Sequence, residues 1–259
     1  MCGISGIFLS GTSDVPLRDA ITRMSDQLLH RGPDDSGVWV DEPAGLAIGH
    51  RRLAVLDLSA AGAQPMRSSC GRYVLAFNGE IYNHRQLRAE LETAGHTPVW
   101  HGHSDTETLL AAIMVWGLDQ TLQRCVGMFG IALWDRKTRT LQLARDRFGE
   151  KPLYYGWAGQ GEGAAFVFGS ELKALKAYPG FVARVCRETL AQYMRFLYVP
   201  APRSIYQGVF KLEPGCLLTV QGPPPDAAPA QPLRPGQTHG SVSVQRWWAL
   251  SDAVEAEIE

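Results

Sequence analysis

Met1-Cys2-Gly3-Ile4-Ser5-Gly6-Ile7-Phe8-Leu9 opens the sequence, and the cysteine at its second position decides the reading. Residues 3–9 carry the apolar run of a short buried strand, which would hold the residue at its head rigidly. With Met1 removed, Cys2 bears both a thiol and a free α-amine. A free α-amine has a pKa of about 7.7–8.0 and a thiol about 8.5, so at neutral pH the amine is partly unprotonated. It can then take the thiol proton directly or through one water. Activation of a nucleophile by an N-terminal amine is a recognised route to covalent catalysis. An ordinary small residue behind a start codon fits the same letters, and the rest of the chain must choose between the two.

The chain has 259 residues, 45% hydrophobic and 20% charged, which suits one large domain or a domain with an extension. With 25 basic and 26 acidic residues the net charge is −1, and no basic field points to nucleic acid or an anionic membrane. Cys2, Cys70, Cys125, Cys186 and Cys216 are widely spaced and form no C-x-x-C pair. That pattern is neither a disulfide framework nor a zinc site, so the expectation is a reducing, cytoplasmic setting and no metal. The start lacks a basic region followed by a long apolar one, and no run of about 18 apolar residues occurs, so neither a signal peptide nor a membrane span is expected.

Outward from the opening strand, Leu17, Ile21, Met24, Leu28 and Leu29 recur on one face of a helix predicted over 17–29. Residues 31–37 are dense in turn formers. Strands are expected at 38–40, 46–50, 53–57 and 73–77. Helices are expected at 84–94, stopped by Gly95, and at 105–116, with Ser104 or Asp105 as N-cap. Residues 128–134 and 140–145 read as strands joined by a 135–139 hairpin, 153–156 and 165–169 as another strand pair, and 187–196 as a short helix. Residues 222–236 hold six of the 16 prolines and read as an exposed loop or linker. Apolar pattern returns at 242–250, and 253–259 is acidic and helix-prone. Strands with helices grouped between them indicate layered α and β rather than strict βαβ alternation.

Four polar clusters accompany Cys2. Asn78-Gly79-Glu80 follows an apolar strand and offers a side-chain amide and a backbone N–H, two donors suited to a tetrahedral oxyanion. A plain Asn-Gly turn fits equally. Arg52, in His50-Arg51-Arg52-Leu53-Ala54-Val55-Leu56-Asp57, lies in an apolar run where an arginine needs a partner. It can clamp a substrate carboxylate or pair with Asp57 or another acid. Asp105 can bind an ammonium or cap a helix. Arg145 to Tyr155 reads as an ordered internal network or as a contact surface for another domain.

Taken in order, these clusters resemble the class II glutamine amidotransferases, which are N-terminal-nucleophile hydrolases, and most of all the glutaminase domain of glutamine-hydrolysing asparagine synthetase. The landmarks are Met-Cys-Gly-Ile at 1–4, His-Arg-Gly-Pro-Asp at 30–34, His-Arg-Arg-Leu-Ala-Val-Leu-Asp at 50–57 and Gly-Ala-Gln-Pro-Met at 62–66. Phe-Asn-Gly-Glu-Ile-Tyr-Asn at 77–83, Ser-Asp-Thr-Glu at 104–107 and Gly-Met-Phe at 127–129 follow. Arg-Asp-Arg-Phe-Gly-Glu-Lys-Pro-Leu-Tyr-Tyr at 145–155 and Ser-Glu-Leu-Lys-Ala at 170–174 complete the set, which covers residues 1–200.

The resemblance implies an α+β fold, the αββα four-layer sandwich of N-terminal-nucleophile hydrolases. It implies Cys2 as nucleophile with its α-amine as general base, and Asn78 and Gly79 as the oxyanion hole. Arg52 resembles the clamp for the glutamine α-carboxylate, Glu80 and Asp105 the binders of its α-ammonium, and Val55 and Leu56 backbone positions lining the pocket. The implied half-reaction hydrolyses glutamine to glutamate and ammonia without a cofactor. ATP and Mg²⁺ belong to a C-terminal synthetase domain, in cis or in trans, whose Ser-Gly-Gly-x-Asp-Ser-type loop is not found in this sequence. Residues 1–200 are read as the glutaminase domain and 201–259 as a junction leading toward that domain. A homodimer stays open, as does the acceptor, aspartate or another carboxylate. A stand-alone or split-enzyme glutaminase, and a non-catalytic glutamine-binding domain, are the alternatives.

Overall fold

The opening strand, buried on both faces, is the key to the architecture. The computed structural model describes residues 1–96 and 99–258. In chain order the elements are β1 (Gly3–Leu9), α1 (Leu17–Asp26), β2 (Asp35–Asp41), β3 (Leu46–Arg52), β4 (Met66–Arg67), β5 (Tyr73–Ile81), α2 (His84–Thr93) and α3 (Asp105–Arg124). Then come β6 (Gly127–Asp135), β7 (Thr140–Arg145), β8 (Tyr154–Ala158), β9 (Ala165–Gly169), α4 (Leu172–Lys176) and α5 (Arg187–Phe196). The chain closes with β10 (Val209–Lys211), β11 (Cys216–Gln221), β12 (Thr238–His239), β13 (Val242–Arg246) and α6 (Leu250–Ile258).

The strands form two antiparallel sheets, ordered β10-β8-β9-β1-β3-β2 and β12-β13-β11-β7-β6-β5-β4. Alternate residues of a strand face opposite ways, and this sorts the core into layers. Ile4 and Phe8 of β1 meet Val74 and Ala76 of β5 and Ala132 and Trp134 of β6 in the cluster between the sheets. Ile7 and Leu9 face α1 and α4 on one outer side. Leu75, Phe77 and Ile81 face α3 on the other. The result is the expected αββα sandwich. Cys2 continues the parity of Ile4 and Phe8, and Asn78 that of Val74 and Ala76. Both therefore point into the space between the sheets, from opposite walls.

Two expectations need correction. Residues 53–57 are not a strand: β3 ends at Arg52 and the chain runs on as a loop. The loop is held out of the sheet because Ala54 N–H donates to the Asp34 carboxylate at 2.9 Å and the Asp57 carboxylate binds Ser59 and His103. Residues 35–37, expected within a turn, begin β2, since pairing with β3 outweighs turn-former content. The helix expected at 105–116 ends where it was placed: Gly117 breaks α3 with φ 76° and ψ 166°, which a glycine adopts without a Cβ penalty, and a second helical stretch runs on to Arg124. Strands β10 to β13, from the stretch read as a junction, complete both sheets. Residues 222–236 contain no helix or strand, yet they are tied down: Trp157 Nε1 and Ser10 Oγ both donate to the Pro225 carbonyl, at 2.9 and 3.1 Å.

Candidate active site

Cys2 is anchored through its own carbonyl and through Ile4, two residues on. Ile4 N–H donates to Ser170 Oγ at 3.0 Å, and Ser170 N–H returns a bond to the Ile4 carbonyl at 2.9 Å. Arg31 Nε donates to the Cys2 carbonyl at 2.8 Å and is itself fixed by Glu171 at 2.9 Å. The thiol faces the loop after β3, where Leu53 N–H lies 3.4 Å from Sγ. Burial pushes the thiol above its ordinary pKa, against the Leu53 N–H, the N-terminal ammonium and Arg52, which favour the thiolate. The balance favours the neutral thiol.

Asn78 stands opposite. It is 1% exposed and its Nδ2 has no partner among the described residues. A buried donor left unpaired is costly, and this one lines the cavity, free for a group that enters it. The peptide before it is clamped: Phe77 N–H donates to Gln64 Oε1 at 2.7 Å, and His50 Nε2 donates to the Phe77 carbonyl at 3.0 Å. Phe77 and Ile81 turn their N–H groups away from β6, to Gln64 and to Asp105. Gly79 has the same parity, so its N–H leaves the sheet between them, on the open edge of β5. A Cβ at Gly79 would lie 2.8 Å from the Phe129 Cα, so the close strand pairing here requires glycine.

Arg52, 8% exposed, ends β3 beneath the 53–59 loop. Its guanidinium donates to the carbonyls of Ser59, at 3.0 Å, and Asp57, with the Asp35 carboxylate at 3.9 Å. Of the two sequence alternatives, the Asp57 carboxylate is not its partner. That group turns to the Ser59 hydroxyl and to the Ser59 and His103 N–H groups, which hold its pKa at about 2. Asp105 accepts from Ile81 N–H at 2.9 Å and Thr106 N–H at 2.8 Å. Helix α3 is capped by Ser104, whose Oγ accepts from Glu107 N–H. The N-cap is therefore Ser104, while Asp105 satisfies the first-turn Thr106 N–H with one oxygen and the Ile81 N–H with the other. Burial raises its pKa, offset by the two N–H bonds and by nearby His84.

Cys2, Arg52, Val55, Leu56, Asn78, Gly79, Glu80 and Asp105 all line one cavity of about 170 Å³, with Met1 at its mouth. Asp57 and Lys151 line it as well. Cations, carboxylates, a thiol and two amide donors converge there, which suits a zwitterion bearing a polar side chain. Sequence reasoning assigned no role to Arg31, His50, Gln64, Ser170 or Glu171, although each lies in a quoted landmark. Their work is to hold other residues in place, and spacing alone carries no signal for that.

His50 yields a stability prediction. Full burial lowers its pKa to about 4, despite the Phe77 carbonyl it binds. In the unfolded chain its pKa is about 6.5. Between these values the unfolded state binds the extra proton, so His50 costs stability as pH falls from 6.5 toward 4, by about 3 kcal/mol in full. Urea unfolding of wild type and His50→Gln at pH 7 and pH 4.5 tests this. The wild type is expected to lose more stability than the variant, and parallel losses would refute it.

Residues 1–224 match the family model described as "Glutamine amidotransferase domain". A "Putative asparagine synthetase [glutamine-hydrolyzing]" of Mycobacterium tuberculosis is 39% identical over 236 residues, covering 85% of this chain and 35% of the relative. "Asparagine synthetase [glutamine-hydrolyzing] 3" of Bacillus subtilis is 39% identical over 222 residues, covering 85% and 34%. The chain spans about a third of the length of these curated relatives. Among solved structures, a glutamine phosphoribosylpyrophosphate amidotransferase from B. subtilis superimposes with a TM-score of 0.62 at 21% identity, over 95% of this chain and 49% of that one, and so shares the fold. Among the described residues no helix is long and apolar enough to cross a membrane. With the family model covering most of the chain, the sandwich shared with a solved amidotransferase and a cysteine-headed cavity between its sheets, the chain belongs to the glutamine amidotransferase domain family.

Proposed function

We propose that the cavity hydrolyses glutamine with Cys2 as nucleophile and supplies the ammonia to an ATP-dependent synthetase of the asparagine synthetase type. The observation that carries this reading is the unpartnered Asn78 amide facing the Cys2 side of the inter-sheet space, with the Gly79 N–H beside it. After removal of Met1, the Cys2 α-amine takes the thiol proton and the thiolate attacks the side-chain carbonyl carbon. The oxyanion forms against Asn78 Nδ2 and Gly79 N–H. The intermediate collapses with proton transfer to the leaving nitrogen, releasing ammonia and leaving a γ-glutamyl thioester. Water then attacks the thioester and gives glutamate and the regenerated thiol.

Arg52 holds the substrate α-carboxylate, and Asp105 and Glu80 hold its α-ammonium, which sets the amide near attack distance. The Val55 and Leu56 backbone edges the pocket on the loop that Arg52 pins. ATP and Mg²⁺ act on the acceptor in the synthetase. The cavity's anions and amide donors are matched to an amino acid rather than a triphosphate, and no step of this chain runs through either group. Aspartate is the acceptor that the relatives' names suggest.

Arg52→Ala is expected to raise KM about a hundredfold, the loss of a charged hydrogen-bonded pair of about 2–3 kcal/mol, with a smaller fall in kcat as the 53–59 loop loosens. Steady-state glutamate release against glutamine concentration checks this. An unchanged KM would remove Arg52 from substrate binding. The reading as a whole is tested by glutamate release from the Met1-free chain, and absence of turnover with bound glutamine would favour the binding-domain alternative.

A further inference from the structure

One charge in the cavity has no counterpart on a resting substrate. Lys151 is 5% exposed and lines the same space as Cys2 and Asn78. Its ammonium forms no ion pair among the described residues, and its hydrogen bonds there are made by its backbone. Lysine is rarely buried without a partner, because an unpaired charge out of water is costly.

The residue is placed with precision. Lys151 N–H donates to Asp146 Oδ2 at 3.0 Å, and the Lys151 carbonyl accepts from Arg145 Nε at 2.8 Å. Asp146, 1% exposed, also accepts from Phe129 N–H at 3.1 Å and Glu150 N–H at 2.9 Å, which locks the segment onto β6. The Lys151 Cβ then lies over Gly130, where an added Cβ would be 3.9 Å from it. Gly130 is the register partner of Asn78. Positions directly opposite in an antiparallel pair have Cβ atoms about 4.5–5.5 Å apart. The flexible four-carbon stem of the lysine spans that spacing, so its ammonium can stand beside the Asn78 amide.

A glutamine zwitterion presents one carboxylate and one ammonium. Arg52 answers the first, Glu80 and Asp105 the second, and the Asp57 carboxylate is occupied by Ser59 and His103. Lys151 is the cation left over. The negative charge it can meet appears only during the reaction, when the amide oxygen becomes an oxyanion on the Asn78 side of the cavity.

We propose that Lys151 is a catalytic residue, the third partner of that oxyanion beside Asn78 Nδ2 and Gly79 N–H. This rests on the glutaminase function proposed above. In the step concerned the S–C bond forms and the C=O π pair moves onto oxygen, while Lys151 keeps its proton. On collapse the pair returns, the C–N bond breaks, and the proton first taken by the α-amine leaves with the ammonia. A fixed cation in a buried site acts on such developing charge without reorganisation.

The test measures glutamate release by the Met1-free 259-residue chain, by Lys151→Met, Lys151→Arg and Asn78→Ala, and by the Asn78→Ala/Lys151→Met double variant. Lys151→Met is expected to lower kcat at least tenfold with KM within twofold, and Lys151→Arg to recover most of that loss. Because both groups meet one oxygen, the double variant is expected to lose less than the product of the single losses. Should Lys151→Met fail to fold by circular dichroism, Lys151→Gln carries the same expectation. Unchanged kcat would overturn the proposal. So would a raised KM at constant kcat, which would assign the lysine to substrate binding through Glu80, and so would losses that multiply. Absence of turnover by Met1-free wild type would sink the glutaminase reading itself, whereas turnover by wild type and by Lys151→Met alike sinks only the role of Lys151.

Discussion

Cys2→Ala is expected to lower glutamate release by on the order of 10⁴-fold or more, the scale on which removal of a covalent nucleophile acts. The structure supplies no substitute. Leu53 N–H, 3.4 Å from Sγ, is a donor and cannot attack. Of the cavity's carboxylates, Asp57 is tied to Ser59 and His103, and Asp105 and Glu80 are the proposed partners of the substrate ammonium. Retention of Met1 is expected to act almost as severely, because the Cys2 nitrogen is then an amide with no basic lone pair. The burial that raises the thiol pKa makes this dependence stronger. Without a standing thiolate, the rate should climb with pH as the α-amine deprotonates. Steady-state kinetics from pH 6 to 9 on Met1-free protein, with intact mass after exposure to an electrophilic glutamine analogue, would check both points. Labelling of wild type but not Cys2→Ala is expected. Wild-type turnover by Cys2→Ala would end the assignment.

The opening strand and the strand at 73–77 were legible because each is a short apolar run, and composition over such a stretch is a local signal. The 53–57 segment misled for the opposite reason. Leu53-Ala54-Val55-Leu56 has the composition of a strand, yet its fate is set by Asp34 and His103, partners 20 and 46 positions away along the chain. Those bonds draw it off the sheet and over the cavity, where Val55 and Leu56 end up substantially exposed. Arg52 illustrates a similar limit. Its sequence neighbour Asp57 was correctly close, but a backbone carbonyl rather than the carboxylate meets the guanidinium. Spacing can bring two residues together without saying which atoms touch. Helix α5 is a further case: the sequence placed a helix at 187–196, and only the structure shows its Leu190, Tyr193 and Met194 exposed.

Asn78→Ala separates catalysis from binding, with an expected fall in kcat of about 10²–10³ and little change in KM. In the substrate complex the carbonyl is planar and the amide donor gains little. In the tetrahedral intermediate the oxygen carries a full charge inside a buried site, and the Nδ2 donor placed there has no competing partner to leave. Pre-organisation is what makes the group effective. The Phe77–Asn78 peptide is held by Gln64 on one side and neutral His50 on the other, so no reorganisation accompanies charge development. His50→Gln should therefore share part of the Asn78 defect, though neither histidine atom reaches the substrate. Asn78→Asp provides the sharper contrast, because it keeps the shape while placing a carboxylate where negative charge must form. Its kcat should fall at least as far as that of Asn78→Ala. If Asn78→Asp retained wild-type kcat, the oxyanion would have to form elsewhere, and the orphaned amide would need another explanation.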